Sequence, residues 1–301
     1  MNGMDISRAF WEEEGLPGLK RAFPSLLPDL AAGLVGEGSE CFGYDDAISR
    51  DHDWGPGFCL WLSAENEAQF GEALRSWYAA LPAAFSGYDR RPLSGRINVF
   101  TPEGFFARFI GRIPSTAVDW LRIPEEYLAV CTNGSVFYDP SGQFSALLNR
   151  LRQQPDQVTR KKLAARCVTM MQAGQYNLPR CLKRGEELAA MLAIQDFARA
   201  AASCVFLLNG RYMPFYKWLP RALRELPLLG AQTAGQLERI LANPLSGDAP
   251  AQIEALCATL ADALRARGYT TLAGSDMQAI GLSIQAQLTD PSMRQLPVLA
   301  G

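Results

Sequence analysis

The hydrophobic pattern changes character part-way along the chain. The first third mixes strand and helix signals. Leu30 to Gly36 is a short apolar run ending in glycines and predicts a buried strand. Phe58-Cys59-Leu60-Trp61-Leu62 predicts a second, entered through the polar segment Asp51-His52-Asp53-Trp54. Ser63 reads as the N-cap of a helix over Ala64 to Leu81, with Glu67 in loose support and Phe70, Leu74 and Tyr78 on one face. Arg96 to Phe100 predicts a third strand. Thr101-Pro102-Glu103 then opens a helix carrying Phe105, Phe106 and Phe109, with proline at its favoured first position. Asn133-Gly134, between Val130 and Val136-Phe137-Tyr138, predicts a hairpin turn.

Beyond that turn the pattern is helical. Phe144 to Gln153, Gln157 to Ala173, Glu186 to Leu208, Thr233 to Ala242 and Ala249 to Arg267 are separated by Gly, Pro or Asn. Strands first and helices later predict an α+β fold with an appended all-helical C-terminal domain. The boundary falls between residues 115 and 145, giving domains at 1–120 and 121–301. Leu188 to Leu208 is the most apolar stretch, but Gln195, Asp196, Arg199 and Ser203 interrupt it. A buried helix fits that pattern better than a membrane span. Met1 to Lys20 lacks an apolar core of signal-peptide length.

Composition narrows the chemistry. With 48% hydrophobic and 20% charged residues, the 301-residue chain can build a sizeable core. A net charge of -2 argues against a nucleic-acid partner, which would call for a dominant basic face. The seven cysteines are scattered and form no C-x-x-C pair, so most of them read as small buried residues of a reducing cytoplasm. A single histidine, His52, excludes two-histidine metal sites and histidine relays. Catalysis, if present, rests on carboxylates, metal ions, lysines or arginines.

The segment Gly36 to Trp61 concentrates such groups. Gly38-Ser39 follows the first predicted strand, where a turn can offer backbone N–H groups and a hydroxyl to an anion. Gly43 is read as allowing close backbone approach. Asp51 and Asp53, at i and i+2 leading into the next strand, are expected on one sheet face, with His52 pointing away. Such a pair suits Mg2+ or Mn2+, which takes one or two carboxylates together with substrate phosphates.

The order Gly38-Ser39, Gly43, Ser49, Asp51-x-Asp53 resembles the signature of the DNA polymerase beta-like nucleotidyltransferase superfamily, which includes the aminoglycoside nucleotidyltransferases. Arg50 stands where that signature often has Asp, displacing the pair by one. Three longer phrases resemble the recurring blocks of a bacterial family of unknown function within that superfamily. They are Asp45-Asp46 through Trp54, Tyr176-Asn177-Leu178-Pro179-Arg180, and Leu208-Asn209 through Lys217-Trp218. The resemblance implies a nucleotidyltransferase-like mixed sheet with flanking helices, and a metal-dependent transfer from an NTP, most naturally ATP. The acceptor would be a hydroxyl of a small molecule or a protein. It also implies a third carboxylate on a later strand, where this chain has Asn98; Glu103, Asp89 and Asp139 are the substitutes in reach.

Arg50 and Arg180, with Tyr212 and Lys217 of the aromatic block, complete the expected nucleotide-binding set, and Lys183-Arg184 lie close by in sequence. Tyr212 to Trp218 reads equally well as aromatic packing with Lys217 reaching water. Asp45 and Asp46 read as turn residues, His52 as a packed side chain, and Arg160-Lys161-Lys162 as a solvated helix face. The enzyme stands against one alternative: a module of the same fold that binds a nucleotide or a partner without catalysis, for which Asn98 speaks.

Overall fold

The computed structural model of the chain describes residues 2–51 and 53–301. The chain divides into two compact units. One runs to Ile113 and takes in Tyr127–Arg152, while the other comprises Pro114–Glu126 and Gln153–Gly301. The expected division at residue 120 is thus replaced by an interleaved one.

The first unit holds the strands β1 (Ala31–Leu34), β2 (Cys59–Trp61), β3 (Ala84–Phe85), β4 (Tyr88–Asp89), β5 (Val99–Phe100) and β6 (Ser135–Tyr138). A mixed sheet runs β5-β2-β1-β6, and β3 pairs with β4 as a separate hairpin. β1 is antiparallel to both β2 and β6, and β2 is parallel to β5. Every residue of β1 and β2 is buried, the pattern of central strands covered on both faces. Aromatic rings fill the space beneath: Trp61 stacks on Phe144 at 3.9 Å and meets Phe105 edge-on at 5.4 Å. Full burial of each such ring contributes about 1.5–3 kcal/mol.

Local signals placed the flanking helices well. Ser63 Oγ accepts from Asn66 N at 3.1 Å and starts Ala64–Ala79. Thr101 Oγ1 accepts from Gly104 N at 3.0 Å and starts Pro102–Ile110. The hairpin expected at Asn133-Gly134 is absent. Val130 belongs to the helix Glu125–Cys131, and the turn feeds β6, whose partner is β1. The reason is Asn133, whose amide group accepts from Gly36 N and donates to Gly36 O, both at 2.9 Å. These bonds fix the turn to the end of β1.

All elements from Asp156 onward are helices. Glu187–Leu208 is long and apolar enough to cross a membrane by length and composition. Its most apolar window is instead 67% buried within the second unit, where Phe197 and Cys204 join Leu163, Ile253 and Leu260 in one core. Asp156–Met170 continues through a π-helical turn, Met171–Asn177, into Leu178–Arg184.

The expected solvated face at residues 160–162 is overturned. Lys161 and Lys162 are 0% and 1% exposed. Lys161 Nζ donates to Gln285 Oε1 at 2.7 Å, Pro297 O at 2.6 Å and Leu296 O at 3.2 Å. Those acceptors lie more than 120 residues away, so no local pattern announces them. Arg160 alone keeps the surface role, paired with Asp156 at 2.8 Å.

Candidate functional site

Gly38 has φ 128, and a side chain there would meet the Glu40 carboxylate at 2.6 Å. The glycine is therefore required by the protein's own Glu40. That carboxylate folds back beneath the turn and pairs with Arg91 Nη1 at 2.5 Å, both groups nearly sealed from solvent. Burial raises the Glu40 pKa, with Arg91 acting against it. Ser39 opens a one-turn helix, Ser39–Phe42, and Gly43 closes it in the left-handed conformation with open space around it. Gly43 thus serves as a helix C-cap, not as the close backbone approach expected of it.

Asp51 and Asp53 are exposed and lie ahead of the sheet. β2 begins only at Cys59, so the strand geometry expected of the pair does not form. Asp51 caps the one-turn helix Ile48–Arg50, whereas Asp53 adopts φ 52. The run Gly55-Pro56-Gly57 then brings Gly55 against Asp89 O, where no Cβ would fit, and no ladder can extend back to residue 53. The expectation for His52 lies outside the described residues.

A tertiary contact supplies what the strand does not. Asp53 Oδ2 is 3.3 Å from Arg96 Nη1, and Arg96 Nε is 3.6 Å from Glu37 Oε2. Arg108 Nη2 reaches the same Glu37 oxygen at 3.3 Å. One guanidinium therefore joins Asp53 to the residue immediately before Gly38-Ser39. Glu37, Glu40, Arg91 and Arg96 were not singled out in the sequence. The acids flanking Gly38-Ser39 were the legible signal, while their arginines lie more than fifty residues on.

The neighbouring candidates have settled roles. Arg50 lies over the Trp54 ring at 4.7 Å. Asp45 Oδ2 accepts from Gly3 N and Trp54 Nε1, while Asp46 Oδ1 accepts from the backbone of Ile48 and Ser49. Asn98 Oδ1 accepts from Arg75 Nε at 3.3 Å and Val99 N at 2.8 Å, and its Nδ2 donates to Ser94 O. Of the substitute acids, Asp139 caps the helix Gln143–Arg152 through Ser145 N. Glu103 sits in the first turn of Pro102–Ile110, and Asp89 in β4. Among the described residues no three acidic, cysteine or histidine side chains form a group that could hold a metal.

Arg180, Tyr212 and Lys217 belong to the second unit. Arg180 lies 3.9 Å over the Tyr176 ring and Lys217 5.1 Å from the Trp218 ring. Six of the seven cysteines are buried. Burial pushes Cys59 up to about 11 and Cys131, Cys204 and Cys257 up to about 12, which keeps these four as thiols at neutral pH.

Residues 120–219 match the model of a family described as a domain of unknown function (DUF4037). The blocks Tyr176–Arg180 and Leu208–Trp218 fall inside that segment, and Asp45–Trp54 precedes it. A crystal structure of a nucleotidyltransferase-like protein from Exiguobacterium sibiricum 255-15 is similar at 10% identity. That similarity covers 93% of this chain and 78% of the other, with a TM-score of 0.35. No curated protein is significantly similar to the chain.

Proposed function

We propose that the protein is a nucleotidyltransferase with a nucleotidyltransferase-like first unit, moving a nucleotidyl group from an NTP, ATP by preference, to a hydroxyl of a small molecule or protein. The observation that carries this reading is the Asp53–Arg96–Glu37 chain, which brings an acid of the Asp-x-Asp pair to the Gly38-Ser39 turn. Magnesium or manganese is the proposed ion, because Asp51 and Asp53 offer exposed carboxylate oxygens of the hard kind it takes. The two aspartates would hold the ion, which when bound supplies polarisation of the phosphoryl group. Ser39 and the turn's backbone N–H groups would bind phosphate oxygens, while Arg96 and Arg108 balance their charge. Within the second unit, and by itself, the set Arg180, Tyr212 and Lys217 is proposed to contact a nucleotide.

The test is transfer of label from α-labelled ATP with magnesium. Asp51→Asn and Asp53→Asn should each lower transfer by at least about a hundredfold with the unfolding midpoint retained. Undiminished magnesium–ATP binding and transfer in the double variant would end the proposal.

A second reading, nucleotide or partner binding without turnover, is favoured by Asn98, whose amide is committed to Arg75, Val99 and Ser94 and leaves no third acid on that strand. Calorimetric binding of ATP and magnesium with no label transferred to any acceptor would select it.

A further inference from the structure

The second unit contains a cavity of about 400 Å³ whose wall includes Lys162, Glu125, Arg166, Thr169, Asp196 and Ser203. Its floor is a buried ion cluster. Glu125, 1% exposed, accepts from Arg166 Nη2 at 3.1 Å and from Ser203 Oγ at 3.0 Å, so its oxygens are well supplied. Lys162 is not. Its ammonium carries three donors, yet among the described residues it makes a hydrogen bond only to Ile123 O, at 3.2 Å. Glu125 Oε1 stands 3.9 Å away, near enough for charge attraction but too far for a hydrogen bond. A nearly sealed lysine with donors to spare thus lines the cavity. Burial lowers its pKa, Glu125 and Glu126 oppose that effect, and Arg166 adds to it.

A second cavity of about 440 Å³ adjoins the first, and the two share Glu126, Arg199 and Met213 as wall residues. Its remaining lining is chiefly apolar, with Pro214, Phe215, Leu219, Leu223 and Leu237 prominent. The helix Glu187–Leu208 serves both: Asp196, Arg199 and Ser203, at helical spacing, face the polar cavity, while Gln195 and Ala198 face the apolar one. Phe215 and Tyr216 in the apolar wall are 41% and 85% exposed, keeping rings in solvent beside a hollow of ligand size.

We propose that these adjoining cavities form one binding site for a small amphipathic oxyanion, with a carboxylate or phosphate head on Lys162 and an apolar body against Met213, Phe215 and Leu237. The head supplies acceptors for the idle N–H groups of Lys162. The body covers apolar surface that the fold leaves open. This site lies wholly within the second unit and stands whether or not the first unit catalyses transfer.

Isothermal titration of the full chain tests it with octanoate, octyl phosphate, acetate, inorganic phosphate and octan-1-ol as probes. One of the two eight-carbon oxyanions should bind at a stoichiometry of one, at least tenfold more tightly than its head group alone and than octanol; whichever it is identifies the head. Lys162→Met should weaken that oxyanion at least tenfold and leave octanol unchanged. Phe215→Ser, at an exposed ring and checked for an unchanged unfolding midpoint, should weaken oxyanion and octanol alike. If neither eight-carbon oxyanion binds, if acetate, phosphate or octanol matches them, or if Phe215→Ser binds as the wild type does, the site is refuted.

Discussion

At the scale of single residues, buried charge is the dominant feature of this protein. Glu40 and Arg91 face each other at 2.5 Å with 2% and 5% of their side chains exposed. Removing one partner strands the other in a poorly solvated place. Arg91→Met should therefore cost about 3–5 kcal/mol in urea unfolding, whereas breaking the exposed Asp53–Arg96 pair by Asp53→Asn should cost less than about 1 kcal/mol. That contrast separates an acid kept for stability from one available to a ligand. Lys161 offers a pH test. Burial brings its amine down from 10.5 to about 8, so between those values the unfolded chain holds a proton the folded chain has released. Stability should then rise with pH across that window, by up to about 1.4 kcal/mol per pH unit. It should be lost again as pH falls through 8. Denaturation curves of wild type and Lys161→Met should differ by that slope; parallel curves from pH 8 to 10.5 would refute the assignment.

At the scale of elements, helix starts obey their local chemistry. Thr101 accepts from Gly104 N and is followed by proline, so Thr101→Ala should destabilise by about 1 kcal/mol, read as a lowered thermal midpoint. Strand extent is different, because a strand exists only as far as its neighbour supplies hydrogen bonds. Asp51 and Asp53 had the alternation of a strand in the sequence, yet Gly55-Pro56-Gly57 and the close approach of Asp89 O keep the β2 ladder from reaching back to Asp53. Asn133-Gly134 likewise had the composition of a hairpin turn. Its side-chain bonds to Gly36 made it the start of an edge strand on β1 instead.

For the molecule as a whole, the interleaving of the units has a direct consequence. β6, at residues 135–138, pairs with β1 from a segment that follows the first passage into the second unit. A fragment ending at residue 120 would leave one side of β1 unpaired and remove Phe144 from its stack on Trp61. Such a fragment should lose the cooperative unfolding transition seen by circular dichroism for the full chain. A sharp, two-state transition from residues 1–120 alone would show that the sheet does not depend on β6.

The sequence by itself determined whatever is written within a few residues: the strands at Ala31–Leu34 and Cys59–Trp61, the caps Ser63 and Thr101, the buried cysteines and the core helix Glu187–Leu208. Each was announced by an apolar run, a capping residue or a composition local to its own segment. Tertiary structure alone decided which charges are buried and which acids meet: Lys161 beside Gln285 and Pro297, Glu40 beside Arg91, Asp53 joined to Glu37 through Arg96. The physical reason is desolvation and pairing at long range. A charged side chain's environment is set by groups many residues distant, and nothing in its own neighbourhood along the chain encodes them.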